Sequence, residues 1–131
     1  MNDNPKTILL VDDEEDLIVA LSARLEATGY RVMVARDGLE GLRMARSLVP
    51  DLIILDLMLP RMDGFKLARL LKHDNRYAAI PVLVLTARSQ DSDRNRALKM
   101  GADDFLVKPY DSSELLLRVK QLLEHREVSH G

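Results

Sequence analysis

The chain has 131 residues, of which 19 are Lys or Arg and 21 are Asp or Glu, so its formal net charge is -2. This length suits one domain, and the balanced charge gives no overall attraction to nucleic acid or to an anionic membrane. The absence of cysteine excludes disulfides, thiolate metal sites and cysteine nucleophiles. No apolar run approaches the ~20 residues of a membrane span, and residues 1–6 lack the apolar core of a signal peptide. We therefore expect a cytoplasmic domain.

Short continuous apolar runs alternate with longer amphipathic stretches, a pattern typical of buried strands alternating with the helices that cover them. The predicted elements, in chain order, are β1 (7–12), α1 (14–28), β2 (31–36), α2 (38–48), β3 (51–56), α3 (63–74), β4 (81–86), α4 (90–100), β5 (103–107) and α5 (111–126). Their ends are defined to about 2–4 residues. Five βα units with right-handed crossovers predict an α/β fold, a doubly wound three-layer sandwich whose parallel sheet has the order 2-1-3-4-5.

Turn-forming and capping residues support this division of the chain. Gly29 follows α1, Gly101 ends α4, and Asp111 offers a cap to α5. We predict one domain over residues 1–126. The amphipathic periodicity is lost over residues 127–131, which are predicted to be a C-terminal tail or the stub of a linker.

Four of the predicted strands end at a residue that can bind a cation or a phosphoryl group. Asp12 and Asp13 follow the apolar run of β1, Asp56 ends β3, Thr86 ends β4, and Lys108 follows β5. In a parallel α/β sheet, ligands bind in the crevice outside the carboxyl ends of the strands. Because β1 and β3 are neighbours in the predicted order, the three carboxylates are expected to meet at one edge of the sheet.

The residue types at this edge favour phosphoryl chemistry. Crowded carboxylates repel one another unless a cation neutralises them, and an all-oxygen ligand set favours Mg²⁺ over zinc or copper. Mg²⁺ commonly bridges carboxylates to a phosphoryl group, and Lys108 would add a second positive charge. A carboxylate can act as a nucleophile toward phosphorus, and Asp56 is the central candidate.

Each of these residues has an ordinary structural explanation when it is taken alone. Asp12 and Asp13 could cap α1, Asp56 could be a plain strand-end residue, and Thr86 suits a strand. A lone lysine such as Lys108 is usually solvated. No role is assigned to the histidines, His73, His125 and His130. Four basic residues on or just before α4 are predicted to form a solvated helix face and not a nucleic-acid patch: Arg88, Arg94, Arg96 and Lys99. The shared placement of the strand-end residues favours a site.

Four stretches carry a family resemblance, in order and at the family's spacings: ILLVDDEEDL, PDLIILDLMLPRMDGFKL, PVLVLTA and GADDFLVKPY. Over residues 6 to about 126 the chain resembles the receiver domain of bacterial two-component response regulators, with the CheY-like, flavodoxin-type fold. The resemblance implies a signalling switch that accepts a phosphoryl group from a histidine kinase. It also implies the metal ligands: Asp13 and Asp56 bind Mg²⁺ directly, Asp12 binds it mainly through water, and the backbone carbonyl of Met58 completes the set.

The same resemblance implies how the switch works. Asp56 is the phosphoacceptor, Lys108 contacts the phosphoryl oxygens, and the Lys108–Pro109 bond is expected to be cis. Thr86 is the switch hydroxyl and Phe105, which alone would be assigned to the core, is the switch aromatic. A phosphoryl group adds a large local charge, so the Thr86 hydroxyl moves toward it and the aromatic ring fills the vacated space. The α4–β5–α5 face then presents a different surface to partners.

Two further expectations follow from the resemblance. The residues two beyond the acceptor and two beyond the switch hydroxyl influence how fast water removes the phosphoryl group, and here they are Met58 and Arg88. Because the Met58 side chain cannot position a water, we expect the phosphorylated form to last minutes or longer. In the subfamily with winged-helix output domains, receivers pair through the α4–β5–α5 face by reciprocal salt bridges. Two such pairs are retained here, Arg94 with Glu114 and Asp104 with Arg118, and the positions of a third hold Met100 and His125.

The expected partners are a sensor histidine kinase, an output domain or downstream effector, and a phosphorylation-linked second copy, with no nucleic acid or membrane contacted by this domain. We expect no turnover enzyme, only Mg²⁺-dependent self-phosphorylation and self-dephosphorylation. An aspartate-based phosphohydrolase or mutase would need an acid at the position of Met58, and a dinucleotide-binding module would need G-x-G-x-x-G after β1. A receiver-like module that binds partners without phosphorylation remains the alternative.

Overall fold

A computed structural model of the chain describes residues 4–87, 95, 96 and 98–130, with side chains up to residue 125. The strands are β1 Thr7–Val11, β2 Arg31–Ala35, β3 Leu52–Asp56, β4 Val82–Thr86 and β5 Asp104–Val107. The helices with complete bounds in this part are α1 Glu15–Ala27, α2 Gly38–Leu48, α3 Gly64–Lys72 and α5 Ser112–His130. Of the predicted α4, residues 95, 96, 98 and 99 are helical, and residues 90–94 and 97 lie outside the described part.

The strands form one parallel sheet in the order β2-β1-β3-β4-β5, which confirms the predicted topology. Pairing near the carboxyl ends brings Val11 opposite Leu55 and Thr86 opposite Val107. Each strand bound lies within one residue of its prediction. α5 was predicted to end at residue 126, but it continues to His130. Residues 127–130 contain no proline or glycine that would end the helix before Gly131.

Two apolar clusters, one on each face of the sheet, form the core. Leu9 and Val11 point toward the cluster that includes α2 and α3, and Ile8 and Leu10 point toward the cluster that includes α1 and α5. This alternation follows the pleat of a strand, in which successive side chains face opposite sides. The central strands are therefore apolar over Ile8–Val11, Leu52–Leu55 and Val82–Leu85, and a polar residue follows each of these runs.

The loop after β3 is held tightly against α3 because Gly64 has no side chain. A Cβ atom at Gly64 would lie 2.6 Å from the carbonyl oxygen of Asp56 and 2.7 Å from the Cα of Leu57. The Gly64 N–H donates to the carbonyl of Leu57 at 3.1 Å. The first turn of α3 thus rests directly on the backbone of the predicted acceptor.

Among the described helices, none is long and apolar enough to cross a membrane.

Candidate functional site

The predicted site residues meet at the carboxyl edge of the sheet. Asp12 and Asp13 follow β1, Asp56 and Thr86 are the last residues of β3 and β4, and Lys108 follows β5. The strand order explains the convergence, because β3 lies between β1 and β4, with β5 next to β4. The peptide bond that follows Lys108 is cis, as predicted.

Three carboxylates form a compact acidic cluster at this edge. Asp12, Asp13 and Asp56 each offer an oxygen, and these oxygens all lie within 4.8 Å of one another. Asp12 is fully buried, Asp56 is 7% exposed, and Asp13 is exposed. Two buried carboxylates and one open to solvent therefore share a space that a single cation could fill.

Lys108 spans the two buried carboxylates. Its Nζ donates to Asp12 Oδ2 at 3.3 Å and to Asp56 Oδ2 at 3.4 Å. The other oxygen of each carboxylate accepts a backbone N–H: Asp12 Oδ1 from Glu14 at 2.9 Å, and Asp56 Oδ1 from Met58 at 3.1 Å. These bonds hold both carboxylates in place and leave lone pairs for a further cation.

The pKa shifts in the cluster show that the positive charge of Lys108 does not fully offset the burial and mutual repulsion of the carboxylates. Burial raises the pKa of Asp56, the charge of Asp12 raises it further, and the Met58 N–H and Lys108 only partly oppose this shift. Burial by itself lowers the pKa of Lys108, but Asp12 and Asp56 outweigh burial and the net direction is upward. Lys108 therefore stays charged, while Asp56 is held where its charge is disfavoured.

The donor set fits a hard divalent cation. All three candidate ligands are carboxylate oxygens, which suit Mg²⁺ rather than softer metals. A divalent ion here would offset the repulsion that raises the pKa of Asp56. Asp12, Asp13 and Asp56 are the residues that could hold it, and the carbonyl of Met58 as a fourth ligand stays a prediction.

The two predicted switch residues lie on the neighbouring strands. Thr86 is fully buried, and its carbonyl accepts the N–H of Lys108 at 2.7 Å. Phe105, on β5, lies opposite Val84 of β4. It is half-buried and packs against the core cluster on the α2–α3 side of the sheet. Thr86 thus lies on the strand next to the acceptor strand and Phe105 lies one strand further, and their switching roles stay predictions.

Sequence reasoning missed two features at the mouth of the site. Glu14 Oε1 lies 4.0 Å from Lys108 Nζ, although Glu14 was treated only as the start of α1. A cavity of about 570 Å³ opens beside Lys108, with Leu17 and Tyr110 among its lining residues. The acidic run after β1 was a signal for Glu14, but the cavity depends on how α1 packs against the loop after β5.

The residues assigned to intermolecular salt bridges have partners within the chain. Arg118 donates to Asp104 at 2.6 Å and to Glu114 at 3.0 Å. Arg94, the predicted partner of Glu114 across a dimer, lies outside the described residues, as does Arg88. A pairing of Asp104 with Arg118 between two copies would compete with the bond that these residues make within the chain.

Comparison with known proteins agrees with this geometry. The family model for the response regulator receiver domain matches residues 8–120. The DNA-binding dual master transcriptional regulator RpaA of Synechocystis sp. is 47% identical over 120 residues, covering 92% of this chain and 50% of RpaA. The chain spans about half the length of the curated relatives it matches.

Solved structures of related proteins share the fold of this chain. A putative response regulator from Chloroflexus aurantiacus is 35% identical, with a TM-score of 0.88 over 92% of this chain and 99% of its own. The receiver domain of a sensor histidine kinase from Pseudomonas aeruginosa, solved with a magnesium ion in its active site cleft, is 30% identical with a TM-score of 0.85 over 92% and 99%. The family match, the sheet order and the strand-end cluster together establish that this chain belongs to the response regulator receiver domain family.

Proposed function

We propose that the domain is a phosphorylation-activated signalling switch that accepts a phosphoryl group from a sensor histidine kinase onto Asp56. The observation that carries this proposal is the position of Asp56: it is buried, bonded to Lys108, and within 4.8 Å of the carboxylates of Asp12 and Asp13. A plain structural aspartate would gain nothing from two further carboxylates beside it, since like charges in a buried site destabilise the fold.

The transfer itself requires only positioned charges. A carboxylate oxygen of Asp56 forms a bond to phosphorus as the bond from phosphorus to the histidine nitrogen breaks, and the imidazole leaves with the bonding electron pair. Lys108 offers a positive charge to the phosphoryl oxygens, and the Met58 N–H holds Asp56 in orientation. When bound by the acidic cluster, Mg²⁺ would neutralise charge that develops on the transferring group.

The domain is proposed to act as a switch and not as a turnover enzyme. Phosphorylated Asp56 would carry its charge next to β4, where the buried hydroxyl of Thr86 can turn toward it. Phe105 on β5 would then occupy the space that the hydroxyl leaves. The resulting population shift alters the α4–β5–α5 face that partners contact.

The partners of the whole protein are inferred from the relatives. Since the chain spans about half of response regulators such as RpaA, we infer that it controls an output domain or a separate effector. Nucleic-acid contact would belong to that output, and no contact of this domain with nucleic acid or membrane is proposed. In a phosphorylation-linked dimer through the α4–β5–α5 face, Arg118 would pair with Asp104 of the other copy, in competition with its bonds to Asp104 and Glu114 of its own chain.

Intact-mass analysis after incubation with acetyl phosphate and Mg²⁺ tests the proposal. We expect a gain of one phosphoryl group in the wild type and in Asp16→Asn, an exposed residue outside the cluster. The gain should be absent in Asp56→Asn and in the presence of EDTA. After removal of the donor, we expect a half-life of minutes or longer, because Met58 offers no hydrogen-bonding side chain to water.

Two results would contradict this reading. Absence of any mass gain in the wild type would leave a partner-binding module that works without phosphorylation. A half-life of a few seconds would refute the expectation for Met58 while leaving the phosphoacceptor role intact.

A further inference from the structure

Two side chains on one face of α3 hold the segment that leads into β5. Phe65 and Lys72 are seven residues apart, about two turns of a helix, and therefore lie on the same side of α3. Phe65 contacts Arg96, and Lys72 contacts Gly101 and Asp103. α3 is thus connected at two points to residues 96–103.

The contact at Lys72 is a buried clamp. Its Nζ donates to the carbonyls of Ala78 and Ile80 at 3.1 and 2.6 Å and to Asp103 Oδ2 at 2.8 Å, and its side chain is only 12% exposed. The same oxygen of Asp103 accepts the N–H of Val82 at 2.8 Å. Several short bonds to backbone and side chain therefore fix the start of β4 and the turn before β5 together.

The contact at Phe65 is of a different kind. The Arg96 guanidinium lies 4.1 Å from the centroid of the Phe65 ring, within the range of a cation–π interaction. Arg96 was predicted to lie on a solvated helix face, and it is exposed, but its guanidinium stacks on a ring that is itself buried. The Arg96 guanidinium makes no ion pair with any other described residue, so within that part of the chain the stack is the contact that holds this side chain.

The stack adjoins the acceptor through the first turn of α3. Phe65 follows Gly64, whose Cα is packed against the carbonyl of Asp56 and the Cα of Leu57. Phe65 and Leu57 also belong to the same core cluster, against which Phe105 packs. A shift of the backbone at Asp56 would therefore displace Gly64, which leaves no room for a side chain there, and with it the adjoining Phe65.

We propose that the Arg96–Phe65 stack is a releasable latch that holds the helical residues around Arg96 against α3 in the unphosphorylated domain, and that its release accompanies phosphorylation of Asp56. The inference rests on the proposed phosphoacceptor function. The Lys72 clamp keeps the Gly101–Asp103 end fixed in both states, while the exposed stack is weak enough to open. The first turn of α3 thus contacts the backbone of Asp56 through Gly64 and the side chain of Arg96 through Phe65.

Amide hydrogen exchange of the unmodified protein tests the latch without phosphorylation. The amides to follow are Met100 and Gly101, which donate to the carbonyls of Arg96 and Leu98 at 3.1 and 3.0 Å. Loss of an exposed cation–π contact corresponds to an increase in local opening of about two- to five-fold. We expect this increase in Arg96→Gln, a smaller one in Arg96→Lys, and none in Lys99→Gln, the matched exposed cation on the same helix.

Phosphorylation by acetyl phosphate tests the coupling. If release favours the phosphorylated state, Arg96→Gln should raise the initial rate at subsaturating donor by about two- to five-fold, since that rate follows the population of the competent state. The effect of Arg96→Gln should disappear in a Phe65→Leu background, because the ring that it acts through is gone. Urea unfolding of each variant verifies that the compared proteins are folded.

The possible outcomes are distinguishable. A wild type that gains no phosphoryl group refutes the proposed function and the coupling with it. A phosphorylated wild type whose Arg96→Gln variant shows unchanged exchange or an unchanged or lower rate refutes the latch alone. An equal response of Lys99→Gln, or an undiminished effect in the Phe65→Leu background, attributes the change to surface charge and also overturns the proposal.

Discussion

Asp56 is a charged group in a place that disfavours its charge. Burial and the neighbouring Asp12 raise its pKa. Because the folded-state pKa lies above the unfolded one, the stability that protonated Asp56 contributes is present below its ordinary pKa and is lost as pH rises through the raised value. At neutral pH without a cation, ionised Asp56 therefore destabilises the fold, as expected of a group kept for its chemistry.

Because ionised Asp56 destabilises the fold, we predict that Asp56→Asn stabilises the metal-free protein. In EDTA at pH 7, urea unfolding should give Asp56→Asn a free energy of unfolding higher by on the order of 1 kcal/mol. The difference should shrink as pH falls through the raised pKa of Asp56, and also when Mg²⁺ is added to the wild type. Asp16→Asn serves as the exposed control, and an Asp56→Asn protein no more stable than wild type would count against the electrostatic account.

At the scale of elements, α3 is the helix whose position matters most to the site. Its first turn rests on the backbone of Asp56 through Gly64, and its last turn carries Lys72. Lys72 bonds to the loop before β4 and to Asp103 before β5. Lys72 thus aligns the amino ends of β4, which bears Thr86, and of β5, which precedes Lys108.

We predict that Lys72→Met destabilises the domain clearly. Removing one partner of a buried ion pair costs about 3–5 kcal/mol, and because Asp103 is 38% exposed we expect a smaller loss of about 1–3 kcal/mol. Lys66→Met, an exposed lysine on the same helix, should stay within about 0.5 kcal/mol of wild type. Chemical denaturation measures both, and equal values for the two variants would show that the clamp contributes no more than a surface lysine.

At the scale of the whole molecule, the α4–β5–α5 face is the surface on which signalling is proposed to converge. In the described part of this face, Arg118 is committed to Asp104 and Glu114 of its own chain. Ion pairs of Arg118 with a second copy would stabilise a dimer only by the difference between their free energy and that of the intrachain pairs they replace. Exposed ion pairs contribute only ~0–1 kcal/mol each. Association should therefore depend on the switched state.

Sedimentation of the domain tests this expectation. At tens of micromolar, we expect a monomer in Mg²⁺ alone and partial dimer formation when a beryllofluoride phosphate analogue is added. Arg118→Ala should remove the analogue-dependent dimer while leaving phosphorylation of Asp56 intact. A monomer under both conditions would decide against the dimer and in favour of a separate effector as the partner.

The sequence by itself determined the fold and the members of the site. Strand periodicity and turn residues are local signals that give the five strands, and the rules for right-handed βα connections give their order. Parallel strands then bring their carboxyl ends to one edge, with Asp12, Asp13, Asp56, Thr86 and Lys108. The match to the family's spacings also predicted the cis bond after Lys108.

Only the tertiary structure decided which side chains from separate elements are in contact. Glu14 near Lys108, the partners of Arg118 within its own chain, and the stack of Arg96 on Phe65 join residues from separate elements. Such contacts depend on how far one element is shifted and rotated against the next. Periodicity predicts which face of an element is buried, but it does not predict which side chain of the neighbouring element lies against each position.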